Sequence, residues 1–208
     1  MEYTSINEQM NILKIKKTNT LKAILFDMVG VLIFKKDGYI PKTVDEFNAL
    51  KIEKLYNHVD DQKLLKDIKQ KLHLSDKKIK KALPFIPAKF EIFPELWTQL
   101  PKLKTKYKIA VINNGNAIAK DYWEERFNFD IFDLFINSAI EKIGKPDTAI
   151  YLLTCNRLGV NPKECLFMDD SLENIEAAKA LEMETIWWNK EEGRESALNK
   201  FKKITKII

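Results

Sequence analysis

The sequence predicts an α/β protein: a parallel sheet with helices on both faces, and an all-helical segment inserted after the first strand. Three observations predict it. Short apolar runs recur at residues 22–26 (KAILF), 108–112 (KIAVI), 134–136, 164–168 (ECLFM) and 184–188, and they lack the in–out alternation of half-exposed strands. Stretches of helical periodicity separate the later runs, and strand–helix alternation makes parallel neighbours. Between the first run and the rest, residues 36–92 carry helical spacing only.

Taken in order, residues 1–20 are polar and basic and form an N-terminal extension. Residues 22–26 make the first strand, which stops abruptly at Asp27; a second apolar stretch follows Gly30, and Lys36-Asp37-Gly38 marks a turn. In the inserted segment, Phe47, Leu50, Leu55 and Tyr56 share one helical face, and Leu64, Leu65, Ile68 and Leu72 form a cleaner stripe. Ser75 precedes Asp76 as an N-cap for a third helix with Ile79 and Leu83 inward, and Pro84 and Pro87 close the segment. Pro94 opens a helix that Pro101 kinks or shortens. After the strand at 108–112, helices are expected at 117–126, at 147–158 with Gly159 as its stop, and at 172–181. The domain division is therefore 1–20, a core of 21–35 with 93–208, and a helical segment of 36–92.

Composition narrows the chemistry. No apolar run approaches the roughly 20 residues that span a bilayer, and residues 1–17 hold no apolar signal region, so the expected location is cytoplasmic, away from membranes. The net charge of +5 comes from dispersed lysines; with arginine only at 126, 157 and 194, a nucleic-acid partner is not expected. Cys155 and Cys165 fit neither a disulfide framework nor a zinc pattern and read as buried thiols. Two histidines, His58 and His73, are too few for a triad or a multi-histidine zinc site, and no phosphate-binding glycine motif occurs. Chemistry must rest on carboxylates, lysine and backbone donors. No oligomeric state follows from the sequence.

Polar clusters follow the strands at Asp27, at Asn113-Asn114-Gly115, at Lys145 and at Asp169-Asp170. Ligands of open parallel sheets bind at that C-terminal edge. Four stretches carry these clusters: 24–32 (ILFDMVGVL), 109–115 (IAVINNG), 144–151 (GKPDTAIY) and 166–178 (LFMDDSLENIEAA). In order and spacing they resemble the haloacid dehalogenase superfamily, made mostly of phosphatases. The resemblance implies a Rossmann-like core, with 36–92 as a helical cap over the active site. It also implies Asp27 as a nucleophile that forms an aspartyl phosphate. Mg²⁺ would be held by Asp27, the backbone carbonyl of Val29 and Asp170. Lys145 would neutralise the nucleophile and the phosphoryl oxygens; Asp169 would orient Lys145 or support the metal shell, and Asn174 would back up the acidic pair. Asn113, where the family usually has Ser or Thr, would donate to the phosphoryl group together with the amides of Asn114 and Gly115. The substrate implied is a small phosphorylated metabolite.

One position departs from the pattern. The family phosphatases usually carry a second Asp two residues after the nucleophile, as acid and then base; here it is Val29. Three explanations stand: a substrate whose leaving group needs little protonation, such as an acyl phosphate or sugar 1-phosphate; an acid or histidine supplied by the cap; or a non-catalytic phosphate-binding or regulatory protein. The paired acids disfavour the metal-free dehalogenases. A phosphonate hydrolase, which needs a cap lysine for a Schiff base, stays open and calls for a lysine of depressed pKa near the site.

Overall fold

The structure, a computed structural model, describes residues 20–56, 60–189 and 193–206. Along the chain come β1 (Ala23–Phe26), β2 (Ile33–Lys35), α1 (Val44–Glu53), α2 (Asp61–Leu72), α3 (Asp76–Ala82), α4 (Phe85–Ala88) and β3 (Phe90–Ile92). Then follow α5 (Pro94–Trp97), α6 (Leu100–Lys104), β4 (Lys108–Asn113), α7 (Lys120–Phe127), β5 (Leu134–Asn137), α8 (Ser138–Glu141) and α9 (Thr148–Leu158). The chain finishes with β6 (Cys165–Asp169), α10 (Leu172–Ala180), β7 (Glu184–Trp187) and α11 (Arg194–Thr205).

Five strands form one sheet in the order β5-β4-β1-β6-β7, with every pairing parallel. All four residues of β1 are buried because helices cover both faces. Ile24 and Phe26 point into a cluster with Leu96, Leu100, Leu103 and Phe201, from α5, α6 and α11. Ala23 and Leu25 point the other way, towards Ile150 and Tyr151 of α9 and Ile175 of α10. Alternate side chains of one strand thus serve two cores, and each large apolar side chain so buried contributes about 1.5–3 kcal/mol. Cys155 and Cys165 are buried free thiols within the second cluster, their sulfurs 3.6 Å apart.

The four helices α1–α4 build their own apolar cluster from Ala49, Ile52, Leu64, Ile68, Ile79, Leu83 and Ile86. It closes against Ala119, with Ile118, Tyr122 and Trp123 alongside, so this segment rests on the start of α7. Local signals explain its helices. Thr43 and Glu46 form a capping box before α1, and the Asp60 side chain accepts from the Lys63 N–H before α2.

Several local expectations need correction. Phe47 is an exposed residue of α1, which buries Asn48, Ala49 and Ile52 instead; the smaller Ala49 lets the helices approach. Ser75 stands at the N-cap of α3 but makes no side-chain capping bond. Pro84 and Pro87 do not end the helical run: Pro84 caps α4, which contains Pro87. Residues 90–92, read as part of the helical segment, form β3 and pair antiparallel with β2, Ile33 opposite Ile92. The helix opened by Pro94 ends early, as expected: α5 stops at Trp97 and α6 starts afresh at Leu100 with Pro101 in its first turn. The helix α11, which buries Ala197, Leu198 and Phe201, was not anticipated. The expected N-terminal extension, apart from Thr20, and His58 lie outside the described residues.

Candidate active site

Each cluster singled out in the sequence falls at one edge of the sheet. Asp27 follows the last residue of β1, and its N–H donates to the Met168 carbonyl of β6 at 2.8 Å. Asn113 ends β4 and Asp169 ends β6. Because β1 lies between β4 and β6, three consecutive strands deliver these side chains to one place. Lys145, from the loop before α9, completes the group.

Lys145 is the hub. Its ammonium donates to Asp27 Oδ1 at 2.6 Å and to Asp169 Oδ2 at 2.7 Å. Its side chain is almost wholly shielded from solvent. Burial by itself would lower the Lys145 pKa, but Asp27 and Asp169 outweigh it and the net shift is upward, so the lysine stays charged. For Asp27, burial pushes the carboxyl up; Lys145 pulls it down, Asp169 and Asp170 push it further, and it settles at about 7. One buried cation does not offset the desolvation of that carboxyl with two more carboxylates beside it.

Asp169 is fully buried and well satisfied. Besides Lys145, it accepts from Asn174 Nδ2 at 3.0 Å on each oxygen and from the Ser171 N–H at 2.8 Å. Asp170 is fixed from the other side, where Trp187 Nε1 donates to its carbonyl at 3.1 Å. Its carboxylate fits a hollow over Gly30, where a Cβ would lie 2.6 Å from Asp170 Oδ2; Gly30 also has φ +104°. Carboxylate oxygens of Asp27, Asp169 and Asp170 lie within 4.8 Å of one another. Hard oxygen donors at that spacing suit a divalent cation such as Mg²⁺.

The loop after β4 supplies neutral donors. Asn113 is buried and folds over Gly115, whose missing Cβ would meet Asn113 Nδ2 at 2.6 Å. The Asn114 side chain exchanges two hydrogen bonds with the Lys145 backbone, Nδ2 to O at 2.6 Å and N to Oδ1 at 2.8 Å. Gly115 N–H donates to Ser138 Oγ at 3.0 Å, so that amide is engaged within the protein. Sequence reasoning missed the parts played by Ser138, Gly30 and Trp187. Each acts on a residue distant in sequence, and of the three only Gly30, inside a matched stretch, carried a signal.

These residues line one cleft: Asp27, Val29, Asn113, Asn114, Lys145, Pro146, Asp169, Asp170, Ser171, Glu173 and Asn174. Val29 is 39% exposed and belongs to that lining, at the position where the family pattern would place an acid. Among the described residues, none of the helical segment belongs to that lining.

A model of the haloacid dehalogenase-like hydrolases matches residues 21–182, which take in every residue that lines the cleft. The chain belongs to the haloacid dehalogenase-like hydrolases. This hydrolase is 30% identical over 122 residues to an (S)-2-haloacid dehalogenase of Burkholderia cepacia, covering 57% of the present chain and 53% of that protein. The chain thus spans about half the length of that dehalogenase. It is 26% identical over 186 residues to a phosphorylated carbohydrates phosphatase of Thermotoga maritima, covering 80% and 84% of the two chains. A haloacid dehalogenase family enzyme of Bacteroides thetaiotaomicron, crystallised with magnesium and inorganic phosphate, superposes with a TM-score of 0.64. It is 21% identical and covers 81% of this hydrolase and 94% of that chain. At that identity the likeness speaks for the shared α/β fold. No helix among the described residues of this hydrolase is long and apolar enough to cross a membrane.

Proposed function

We propose that this hydrolase is a magnesium-dependent phosphatase of a small phosphorylated metabolite, acting through an aspartyl phosphate on Asp27. The observation that carries the reading is the cluster of Asp27, Asp169 and Asp170 around one lysine. With every carboxyl ionised, three negative charges face one positive charge, and the deficit matches a divalent cation. Metal-free dehalogenation would gain nothing from such a cluster. Asp27, the Val29 carbonyl and Asp170 would hold Mg²⁺, and Asp169 would support that shell. When bound, the ion supplies the positive charge that lets an anionic nucleophile meet an anionic phosphoryl group.

The protein's own groups do the rest. An Asp27 carboxylate oxygen attacks phosphorus, and the bond from phosphorus to the leaving oxygen breaks with its electron pair going to that oxygen. Lys145 and the Asn113 amide hold the phosphoryl oxygens, joined by the Asn114 N–H. Water then attacks phosphorus, the bond from phosphorus to the Asp27 oxygen breaks with its electron pair returning to the carboxylate, and the water's protons leave with the inorganic phosphate and solvent. Val29 can protonate nothing, so the leaving group must depart as a stable anion. An acyl phosphate or a sugar 1-phosphate meets that demand better than a simple alkyl ester. Residues 36–92 act as a cap that selects the substrate and excludes water, and the setting is cytoplasmic, without a nucleic-acid partner.

Two alternatives weigh less. A phosphonate hydrolase needs a lysine at the site for an imine. Among the described residues, the lysine whose pKa is pushed down, to about 8 by burial and then by Lys35, is Lys89. It is paired with Glu53 and is not among the cleft residues. A cap histidine as replacement acid finds no support in His73, which ends α2 in a left-handed conformation and does not line the cleft. A non-catalytic phosphate binder is separated by experiment: phosphate release from acetyl phosphate and 4-nitrophenyl phosphate, with magnesium or with chelator, for the wild type and Asp27→Asn. Release that needs both magnesium and Asp27 supports the phosphatase; phosphate binding without release assigns the binder.

A further inference from the structure

The loop that carries the phosphate-binding amides is tied down at successive residues. The core holds three of them: Asn114 through the Lys145 backbone, Gly115 through Ser138, and Asn116 through its carbonyl, which accepts from Asn137 Nδ2 at 3.3 Å. The next residue is held differently. The Ala117 N–H donates to the carboxylate of Asp61, at 3.0 Å to Oδ1 and 3.2 Å to Oδ2. Asp61 belongs to the inserted helical segment, 56 residues away in sequence. It opens α2, but capping of that helix falls to Asp60, so the Asp61 carboxylate is available for the loop. Leu64 and Ile68 bury the same helix in the segment's own core, which gives Asp61 a firm base.

We infer that Asp61 is a positioning residue, by which the inserted helical segment holds the loop 113–117 in the conformation that binds the phosphoryl group. The inference rests on the phosphatase reading above. A charge-assisted bond to a backbone N–H is stronger than a neutral one, and this one sits four residues from Asn113. Without it, the loop samples conformations in which Asn113 and the Asn114 N–H are misplaced. Substrate must then select the competent fraction, so apparent affinity falls in proportion to that fraction. Once substrate is bound, the loop is in place and the chemical step proceeds as before. The signature is a loss in KM with kcat preserved, and inorganic phosphate should weaken by the same factor.

The test compares the wild type with Asp61→Ala, Asp61→Asn and Ala117→Pro; the last removes the donor and leaves the carboxylate. Steady-state kinetics use acetyl phosphate, and inorganic phosphate with magnesium is titrated by calorimetry, at a temperature where melting curves show each variant folded. For Asp61→Ala and Ala117→Pro, KM and the phosphate Kd should both rise roughly tenfold, as for a loop competent about a tenth of the time. Their kcat should stay within about twofold, and Asp61→Asn, which keeps an acceptor, should recover most of the affinity. Should one of the two disruptive variants fail to fold, the other is read. Unchanged KM and phosphate Kd in a folded disruptive variant overturn the inference, as does a fall in kcat without change in KM. A wild type that neither releases nor binds phosphate overturns the phosphatase reading and this inference with it. Normal wild-type behaviour with unaffected variants overturns this inference alone.

Discussion

Replacing Asp27 by Asn should stabilise the metal-free protein above neutral pH while abolishing turnover. The folded-state carboxyl is raised from 3.8 to about 7, first by burial and then by Asp169 and Asp170 against the pull of Lys145. A raised carboxyl favours the folded state fully below its unfolded pKa and loses that contribution as pH climbs through the folded value. The window is therefore about pH 4 to 7, with metal-free wild type weaker at its upper end. A displacement of about three units corresponds to roughly 4 kcal/mol. Lys145 keeps Asp169 but loses Asp27 as a counter-charge in the variant, which cancels part of that gain. The expected net advantage of Asp27→Asn at pH 8 is about 2 kcal/mol, or roughly 4–8 °C in Tm for a chain of this size. The assay is thermal melting of both proteins in chelator from pH 5 to 8, read as the difference between them so that other titrations cancel. The difference should grow with pH, and magnesium should shrink it by stabilising the wild type more. A difference that stays flat across the window, or a variant less stable than wild type at pH 8, would refute the charge argument.

Further outcomes follow from the same geometry. Val29→Asp places a carboxyl at the cleft lining and should raise kcat/KM on an alkyl phosphate by about 10²-fold, the lower end for general acid catalysis. Acetyl phosphate should change far less; equal changes on both substrates would count against the leaving-group reading. Gly30→Ala must push a Cβ against Asp170 Oδ2 from a backbone at φ +104°, so half-saturation by magnesium should rise at least about tenfold, as displaced ligand oxygens require, measured by metal titration of activity. Lys145→Met leaves Asp27 and Asp169 without their shared cation; loss of about 3–5 kcal/mol in denaturant melts is expected at pH 8, with turnover beyond detection. Asn174→Ala removes the amide that spans both Asp169 oxygens and should lower kcat about tenfold, while acetyl phosphate KM moves little.

The sequence disclosed the strands and the edge that matters, because buried parallel strands must be apolar runs and because their polar terminations are local. Asp27, Asn113 and Asp169 could be named without coordinates for that reason. It was less informative where local chemistry is indifferent to distant partners. The ribbon of β2 and β3 depends on Ile33 meeting Ile92 across the whole helical segment, and neither run is longer than three residues. Helix α11 has its apolar residues set among lysines, and only the assembled sheet gives that face a partner, with the Phe201 ring 6.1 Å from that of Phe26 in β1. Phe47 looked like a core residue because its spacing fits one; packing chose Ala49 and Ile52 on the neighbouring face.

Alone, then, the sequence determined the α/β class, the inserted helical segment, the identity of the acidic and amide residues at the strand ends, and the missing acid at Val29. The first three are set by residue type and by short-range periodicity; the last shows only against the family pattern that the four stretches resemble. Tertiary structure decided what those residues do to one another: that Lys145 reaches two carboxylates, that Asn174 spans Asp169, that Gly30 makes room for Asp170, and that Asp61 holds Ala117. The reason is that charge, burial and hydrogen bonding act through space over a few ångströms. The partners of Lys145 lie 118 and 24 residues away in sequence, and the chain must fold before those distances exist.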